Sequence, residues 1–262
     1  MKEKYHFKKG FLENKNILIT GSTSGIGRQL ALDLSSYGAN IILHGRNENA
    51  LDALYDEIIK EFGTSPLIIK CDLNDLNENK AQEFANAIIE SYECLDGVIN
   101  NAAIIGKMSA ISDYDYETWQ KVLNVNITSS FLLTKYLLPI MEHSVNPRII
   151  FTSSGVAEKG RAYWGAYAAS KFALEGLSQL FADETETAGN ILVYSVNPGG
   201  TRTAMRREAY PLEDPAILPT PEDHMELYLA LMCSKDQVSG NVVNFTTGQQ
   251  IDARNWLQNS SQ

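Results

Sequence analysis

Ser154, Tyr167 and Lys171 are the residues whose types and spacing first suggest chemistry. Tyr167 and Lys171 are four residues apart, a spacing that puts both side chains on one face of a helix. Ser154 stands thirteen residues before Tyr167, just past the strand-like run 148–152. A hydroxyl, a phenol and an ammonium held together can hydrogen-bond an oxygen, pass it a proton and stabilise the charge that moves. Reduction of a ketone by hydride creates that need, because negative charge builds on the carbonyl oxygen. The reverse reaction needs the phenol as a base, and a free phenol near pKa 10 is a poor one at neutral pH. A neighbouring ammonium favours phenolate, and a shift of about three units corresponds to roughly 4 kcal/mol. Tyr–Lys pairs at helical spacing are common, and Tyr163 and Ser153 crowd the same stretch. The trio therefore gains meaning only from the elements that position it.

Those elements read as an alternation of strands and helices. Short β-branched runs fall at 16–20, 40–44, 67–71, 97–100, 148–152, 191–195 and 241–245, with helical segments near 25–37, 47–62, 78–92, 115–142 and 165–188. Short apolar runs suit strands buried on both faces of a parallel sheet. The alternation implies an α/β, doubly wound, Rossmann-like, mostly parallel seven-stranded sheet with helices on both faces, in a single domain spanning 1–262. Residues 205–221 break the rhythm with Pro211, Pro215, Pro219 and Pro221, so a lid or substrate loop is expected at about 203–222.

After the first strand comes Thr20-Gly21-Ser22-Thr23-Ser24-Gly25-Ile26-Gly27, opening the first helix. Glycines here allow a tight turn and a close backbone approach to a pyrophosphate, and the helix N-terminus offers amides and a positive dipole end. The second strand ends in His44-Gly45-Arg46 without a carboxylate. A carboxylate there would accept the ribose hydroxyls of NAD, whereas Arg46 offers a planar fork to a 2′-phosphate. NADP(H) is the expected cofactor, ahead of NAD(H).

The glycine spacing is GxxxGxG, and with it the chain resembles the short-chain dehydrogenase/reductase family, whose TGxxxGIG turn it matches at every fixed position. Ser154, Tyr167 and Lys171 reproduce the family's serine and Tyr-x-x-x-Lys. Asn126, seven residues after Trp119 and close to its competitor Asn124, matches the family's helix asparagine, which positions a water in a proton relay. Asp72-Leu73 looks like the adenine-contacting pair, and Asn100-Asn101-Ala102-Ala103 resembles NNAG with alanine at its fourth place. Asn197-Pro198-Gly199-Gly200-Thr201-Arg202-Thr203 resembles the PG motif that holds the nicotinamide carboxamide. The resemblance implies an NADP(H)-dependent oxidoreductase interconverting a ketone or aldehyde and an alcohol. It implies a cofactor groove of Gly21, Ser22, Thr23, Ser24, Gly25, Ile26, Gly27, Arg46, Asp72, Leu73, Asn101, Ala102, Tyr167, Lys171, Pro198, Gly199, Thr201 and Thr203. Ser24 departs from the basic residue that many NADP members carry there. The stretch 239–248 lacks the usual Gly-Gly turn, which puts the family's C-terminal subunit contacts in doubt. Family habit implies a homodimer or homotetramer through the 115–142 and 165–188 helices, and the motifs look most like a bacterial branch of uncharacterised oxidoreductases.

Bulk properties narrow the setting. A net charge of −10 and a pI of about 4.9 lack the basic footprint of nucleic-acid binding. Cys71, Cys94 and Cys233 are scattered, which fits reduced thiols better than disulfides or a zinc site. The four lysines of residues 1–10 precede no apolar signal region, and no run of about 18 apolar residues could span a bilayer. A cytoplasmic protein with no metal, membrane or nucleic-acid partner and a small carbonyl or alcohol substrate is expected. A non-catalytic module that senses NADP(H) and regulates a partner is the alternative, though a pure sensor need not keep all three of Ser154, Tyr167 and Lys171. Arg206 and Arg207 open the lid and could meet an anionic substrate, but adjacent arginines on an acidic protein are expected to face water.

Overall fold

The computed structural model describes residues 7–188, 190–233, 239 and 241–245. Its strands are β1 (Asn16–Thr20), β2 (Asn40–Gly45), β3 (Leu67–Lys70), β4 (Gly97–Asn100), β5 (Arg148–Thr152), β6 (Leu192–Asn197) and β7 (Asn241–Asn244). They form one sheet in the order β3-β2-β1-β4-β5-β6-β7. Every pairing is parallel, so the expected "mostly parallel" sheet is wholly so. The chain starts in the middle, winds out to β3, then returns to lay β4 against β1. Neighbouring connections thus leave in opposite directions from β1 and β4. That divergence opens a crevice at the carboxyl ends of the strands.

Helices α1 (Gly25–Ser36), α2 (Glu48–Phe62), α3 (Glu78–Ser91), α4 (Tyr116–Leu123), α5 (Ser129–Met141), α6 (Gly165–Ala188), α7 (Ala204–Ala209) and α8 (Met225–Cys233) complete the chain. Alternate strand residues face opposite layers. Leu18, Ile42, Val98 and Ile149 pack against α3, α5 and α6 through Phe84, Leu137 and Leu174. Ile17, Ile41, Ile99 and Ile150 pack against α1, α2 and α8 through Leu34, Leu54 and Tyr228. Both faces are covered, which is why the strands read as unbroken apolar runs rather than as alternating ones. Among the described residues no helix is long and apolar enough to cross a membrane.

Three elements depart from the sequence expectation. The helix expected over 115–142 is divided into α4 and α5 by a π-helical turn at Asn124–Thr128. The lid is not wholly irregular: it contains α7 and two short 3-10 turns, Pro215–Ile217 and Pro221–His224. α8 has no periodic signal in the sequence, because MELYLALMC is apolar nearly all round and carries no amphipathic stripe. Of the C-terminal departure at 239–248, positions 240 and 246–248 lie outside the described residues, as do 1–6 of the lysine-bearing N-terminus.

Candidate active site

The glycine turn fills the space between β1 and α1. Gly21 has φ +68° and would press a Cβ against Ala102, so only glycine sits there without strain. Gly27 lies so close to the Gly21 carbonyl that any Cβ would collide with it. Ser24 is the N-cap of α1, yet its side chain makes no capping bond. The first amides of a twelve-residue helix therefore face the crevice without a side-chain partner. Thr20 Oγ1 accepts the amides of Asn101 and Ala102 at 2.9 and 3.0 Å, and Asn101 Nδ2 donates to the Thr20 carbonyl at 3.0 Å. The ends of β1 and β4 are thereby tied together across the floor of the cleft.

That cleft has a volume of about 330 Å3 and runs from Arg46 and Asp72 at one end to Trp164 and Met205 at the other. Around it stand Gly21, Thr23, Ser24, Gly25, Ile26, Leu73, Asn101, Ala102, Pro198, Gly199, Thr201 and Thr203, together with Ser154, Tyr167 and Lys171. Three residues named from sequence do not line it. Ser22 is fully buried and turns its hydroxyl to the His44 carbonyl at 3.1 Å, and Gly27 packs behind Gly21. Asn126, also buried, lies one layer behind.

Asn126 sits within the π-helical turn. Its Oδ1 accepts the Ile104 amide at 2.8 Å, and its Nδ2 donates to the Ile104 carbonyl at 2.9 Å and to Ser170 Oγ at 3.0 Å. The side chain thus fixes the loop after β4 to α6, and the bulged turn lets it point there. Asn124 opens the same turn.

Ser154 follows β5, with its hydroxyl near enough to the Tyr167 phenol to favour the phenolate. Lys171, one turn along α6, donates from Nζ to the Thr152 carbonyl at 2.7 Å, and its Nζ lies 5.6 Å from the centre of the Tyr167 ring. Both side chains are buried. Burial pulls the Lys171 ammonium down to about 8, against a weaker pull upward from Glu175. Burial also raises the Tyr167 phenol, and only the Ser154 hydrogen bond opposes it. The sequence led us to expect a phenol lowered by its lysine. In the structure burial acts the other way and raises the phenol.

The far end of the cleft is aromatic and apolar. Trp164 meets Tyr167 at 5.6 Å and Tyr210 at 6.0 Å between ring centres, and Ile104, Ile105, Met205 and Ala209 complete the wall. Tyr210 stacks in turn on the Arg206 guanidinium at 3.9 Å. Arg206 is half-buried and grips Glu213 with two contacts of 2.6 Å, whereas Arg207 is exposed. The expectation that both arginines face water holds for Arg207 and fails for Arg206. Arg202 is a second internal staple, donating to the carbonyls of Pro215, Ala216 and Leu218. Trp164, Tyr210, Arg202 and Glu213 went unremarked as site residues in the sequence, since nothing in their spacing shows that the lid folds back on itself. Among the described residues no cluster of metal-ligating side chains occurs.

Comparison with known proteins agrees with this architecture. The model of the short chain dehydrogenase family matches residues 15–214. An uncharacterised oxidoreductase of Escherichia coli K12, YciK, is 43% identical over 250 residues, 95% of this chain and 96% of the relative. An NADPH-dependent pterin aldehyde reductase of Arabidopsis thaliana is 31% identical over 191 residues, covering 73% and 76% of the two chains. A crystal structure of a Shigella flexneri short chain dehydrogenase complexed with NADP superposes with a TM-score of 0.88 at 42% identity, covering 90% of this chain and 99% of that one. One from Escherichia coli CFT073, complexed with NADPH, gives 0.87 at 43%, covering 90% and 98%. The chain belongs to the short-chain dehydrogenase/reductase family.

Proposed function

We propose that this oxidoreductase uses NADP(H) to interconvert a ketone or aldehyde and an alcohol, with Tyr167 as acid and base. The observation that carries the reading is the pairing of half-buried Ser154 and buried Tyr167 and Lys171 with a glycine turn on one cleft. The residues present fit the dinucleotide. Uncapped α1 amides and Gly21 would receive the pyrophosphate, Arg46 the 2′-phosphate, Asp72 and Leu73 the adenine, and Pro198, Gly199, Thr201 and Thr203 the nicotinamide amide. When bound, NADPH supplies the hydride. Ser154 holds the substrate oxygen and Tyr167 gives it a proton, the act for which a phenol kept protonated by burial is suited. Lys171 keeps a positive charge within reach of the ring, and Asn126 holds the loop after β4 to the helix that carries both. The test is consumption of NADPH with a panel of carbonyl compounds.

Arg46 Nη1 lies 3.6 Å from Asp72 Oδ2, with both side chains exposed, which supports a guanidinium free to meet a 2′-phosphate. Arg46→Ala should weaken NADPH by about 1.5–3 kcal/mol and leave NADH nearly unchanged. Isothermal titration with both cofactors checks this, and equal losses for the two would remove Arg46 from phosphate recognition.

The lid covers the aromatic end of the cleft as a semi-rigid flap stapled from within. Because Arg206 is already neutralised by Glu213, the substrate portion beneath it is uncharged in this reading. Arg206→Ala and Glu213→Ala should then impair kcat/KM to the same degree, and the double variant no further. That corresponds to a coupling of about 0.5–3 kcal/mol in a double-mutant cycle. A selective loss on anionic substrates in Arg206→Ala alone would show instead that the guanidinium reads the substrate.

We also infer a cytoplasmic homodimer or homotetramer. Free Cys71, Cys94 and Cys233 support the compartment. Phe131, Phe172 and Leu180, exposed on α5 and α6, support subunit contacts through those helices.

A further inference from the structure

His44, the penultimate residue of β2, is 2% exposed, yet both of its ring nitrogens are engaged by backbone from different elements. The Gly21 amide donates to Nδ1 at 3.3 Å. On the other side Nε2 lies 3.2 Å from the Cys71 carbonyl. An amide can only donate and a carbonyl can only accept, so the geometry fixes a neutral ring with its proton on Nε2. Burial also disfavours the charged form, lowering the imidazole to about 4. The charged groups nearby are Asp72, which opposes that shift, and Arg46, which adds to it. From α3 the Phe84 ring comes near, at 5.7 Å between centres.

The two bonded partners belong to opposite halves of the dinucleotide cleft. Gly21 opens the glycine turn at φ +68°. Cys71 directly precedes Asp72, whose carboxylate caps Asn74 at 3.0 Å and faces Arg46. The backbone of His44 adds to the tie, because its carbonyl accepts both the amide and the hydroxyl of Ser22, at 2.9 and 3.1 Å. A strand residue with an aliphatic side chain could fill the volume but would leave the Gly21 amide and the Cys71 carbonyl without this partner.

We propose that His44 is a positioning residue for the dinucleotide, its ring clamping the glycine turn to the end of β3 so that the pyrophosphate and 2′-phosphate contacts keep a fixed separation. The inference rests on the NADP(H) reading of the cleft and goes beyond it, since His44, which also borders the cleft, is assigned to hold the glycine turn and β3 rather than to bind a phosphate. Loss of a buried amide's partner corresponds to about tenfold in an equilibrium constant.

The experiment measures NADPH dissociation constants, by nucleotide fluorescence, for the full chain and for His44→Leu and His44→Asn. His44→Leu should raise the constant about tenfold or more. His44→Asn, whose amide oxygen can accept from Gly21, should stay within about threefold of the unaltered protein. In turnover the loss should fall on KM for NADPH more than on kcat. His44→Leu that binds within twofold of the parent, or Leu and Asn variants equally weakened, would overturn the clamp. Should the leucine variant not fold, imidazole 15N shifts of the unaltered protein decide: Nε2–H with an unprotonated Nδ1 at neutral pH supports it, and an Nδ1–H or doubly protonated ring overturns it. If the unaltered protein binds neither NADPH nor NADH, the cofactor reading fails and the clamp's purpose with it. If it binds NADPH and His44→Leu binds as well, the reading stands and the clamp alone falls.

Discussion

Tyr167→Phe is expected to lower kcat by about a hundredfold to ten-thousandfold while NADPH affinity changes by less than about twofold. The substitution removes one oxygen from a ring that is otherwise buried among Trp164, Val156 and Ala166, so packing is preserved and only the proton donor is lost. The Ser154 hydroxyl keeps its place after β5 and, in the proposed reading, still holds the substrate oxygen, so some turnover should survive. Steady-state rates and a direct NADPH titration on the same preparation separate the two effects. A variant that keeps most of its activity would remove Tyr167 from the acid–base role.

Lys171→Met should damage both functions that Tyr167→Phe separates. The ammonium is the positive charge set beside the phenol, and in the proposed reading it also meets the nicotinamide ribose. Its removal should reduce kcat by about a hundredfold to a thousandfold, as loss of a preorganised electrostatic donor does, and weaken NADPH about tenfold or more. The same substitution has a signature in stability. Burial lowers the folded-state value from the ordinary 10.5 to about 8, so between those limits the unfolded chain binds more protons than the folded one. Stability contributed by this site therefore rises with pH across that window, and the penalty for burying the charge is present in full below pH 8. Methionine has no such dependence. The unfolding free energy of the parent minus that of Lys171→Met should thus grow by about 1–2 kcal/mol between pH 8 and pH 9.5. The raised Tyr167 value is common to both proteins and cancels to first order. A difference that stays flat over this range would mean that Lys171 is not desolvated as the structure has it.

What could be read from the sequence was whatever lies close along the chain. Gly21, Gly25 and Gly27 announce their turn within seven residues, and Tyr167 and Lys171 share a helix face by spacing alone. The seven strands fall within two residues of their expected limits. What could not be read depends on partners distant in sequence or on burial. Arg206 chooses Glu213 only once the lid turns back, so its half-buried ion pair has no periodic signal. Asn126 could be picked out from Asn124 by motif, but not the π-helical turn that lets it reach Ile104 and Ser170. His44 looks like a misplaced polar residue in an apolar strand until β1 and β3 bring Gly21 and Cys71 to either side of it. The Tyr167 phenol moved opposite to expectation for a similar reason: composition shows a neighbouring lysine but does not show how dry the site is.

The central claim, that this cleft transfers hydride and that Tyr167 completes the transfer with a proton, is tested most directly by following an isotope. The full-length protein is incubated with NADPH carrying deuterium at the transferable position and a panel of neutral aromatic and alicyclic ketones, and the alcohols are examined by mass spectrometry. The account predicts deuterium on the carbinol carbon of at least one product with the unaltered protein, and loss of nearly all of that product with Tyr167→Phe. Tight NADPH binding with no deuterated alcohol from any carbonyl, or equal labelling by Tyr167→Phe, would contradict it. The first of those results would mark the chain as a protein that binds the dinucleotide without using it.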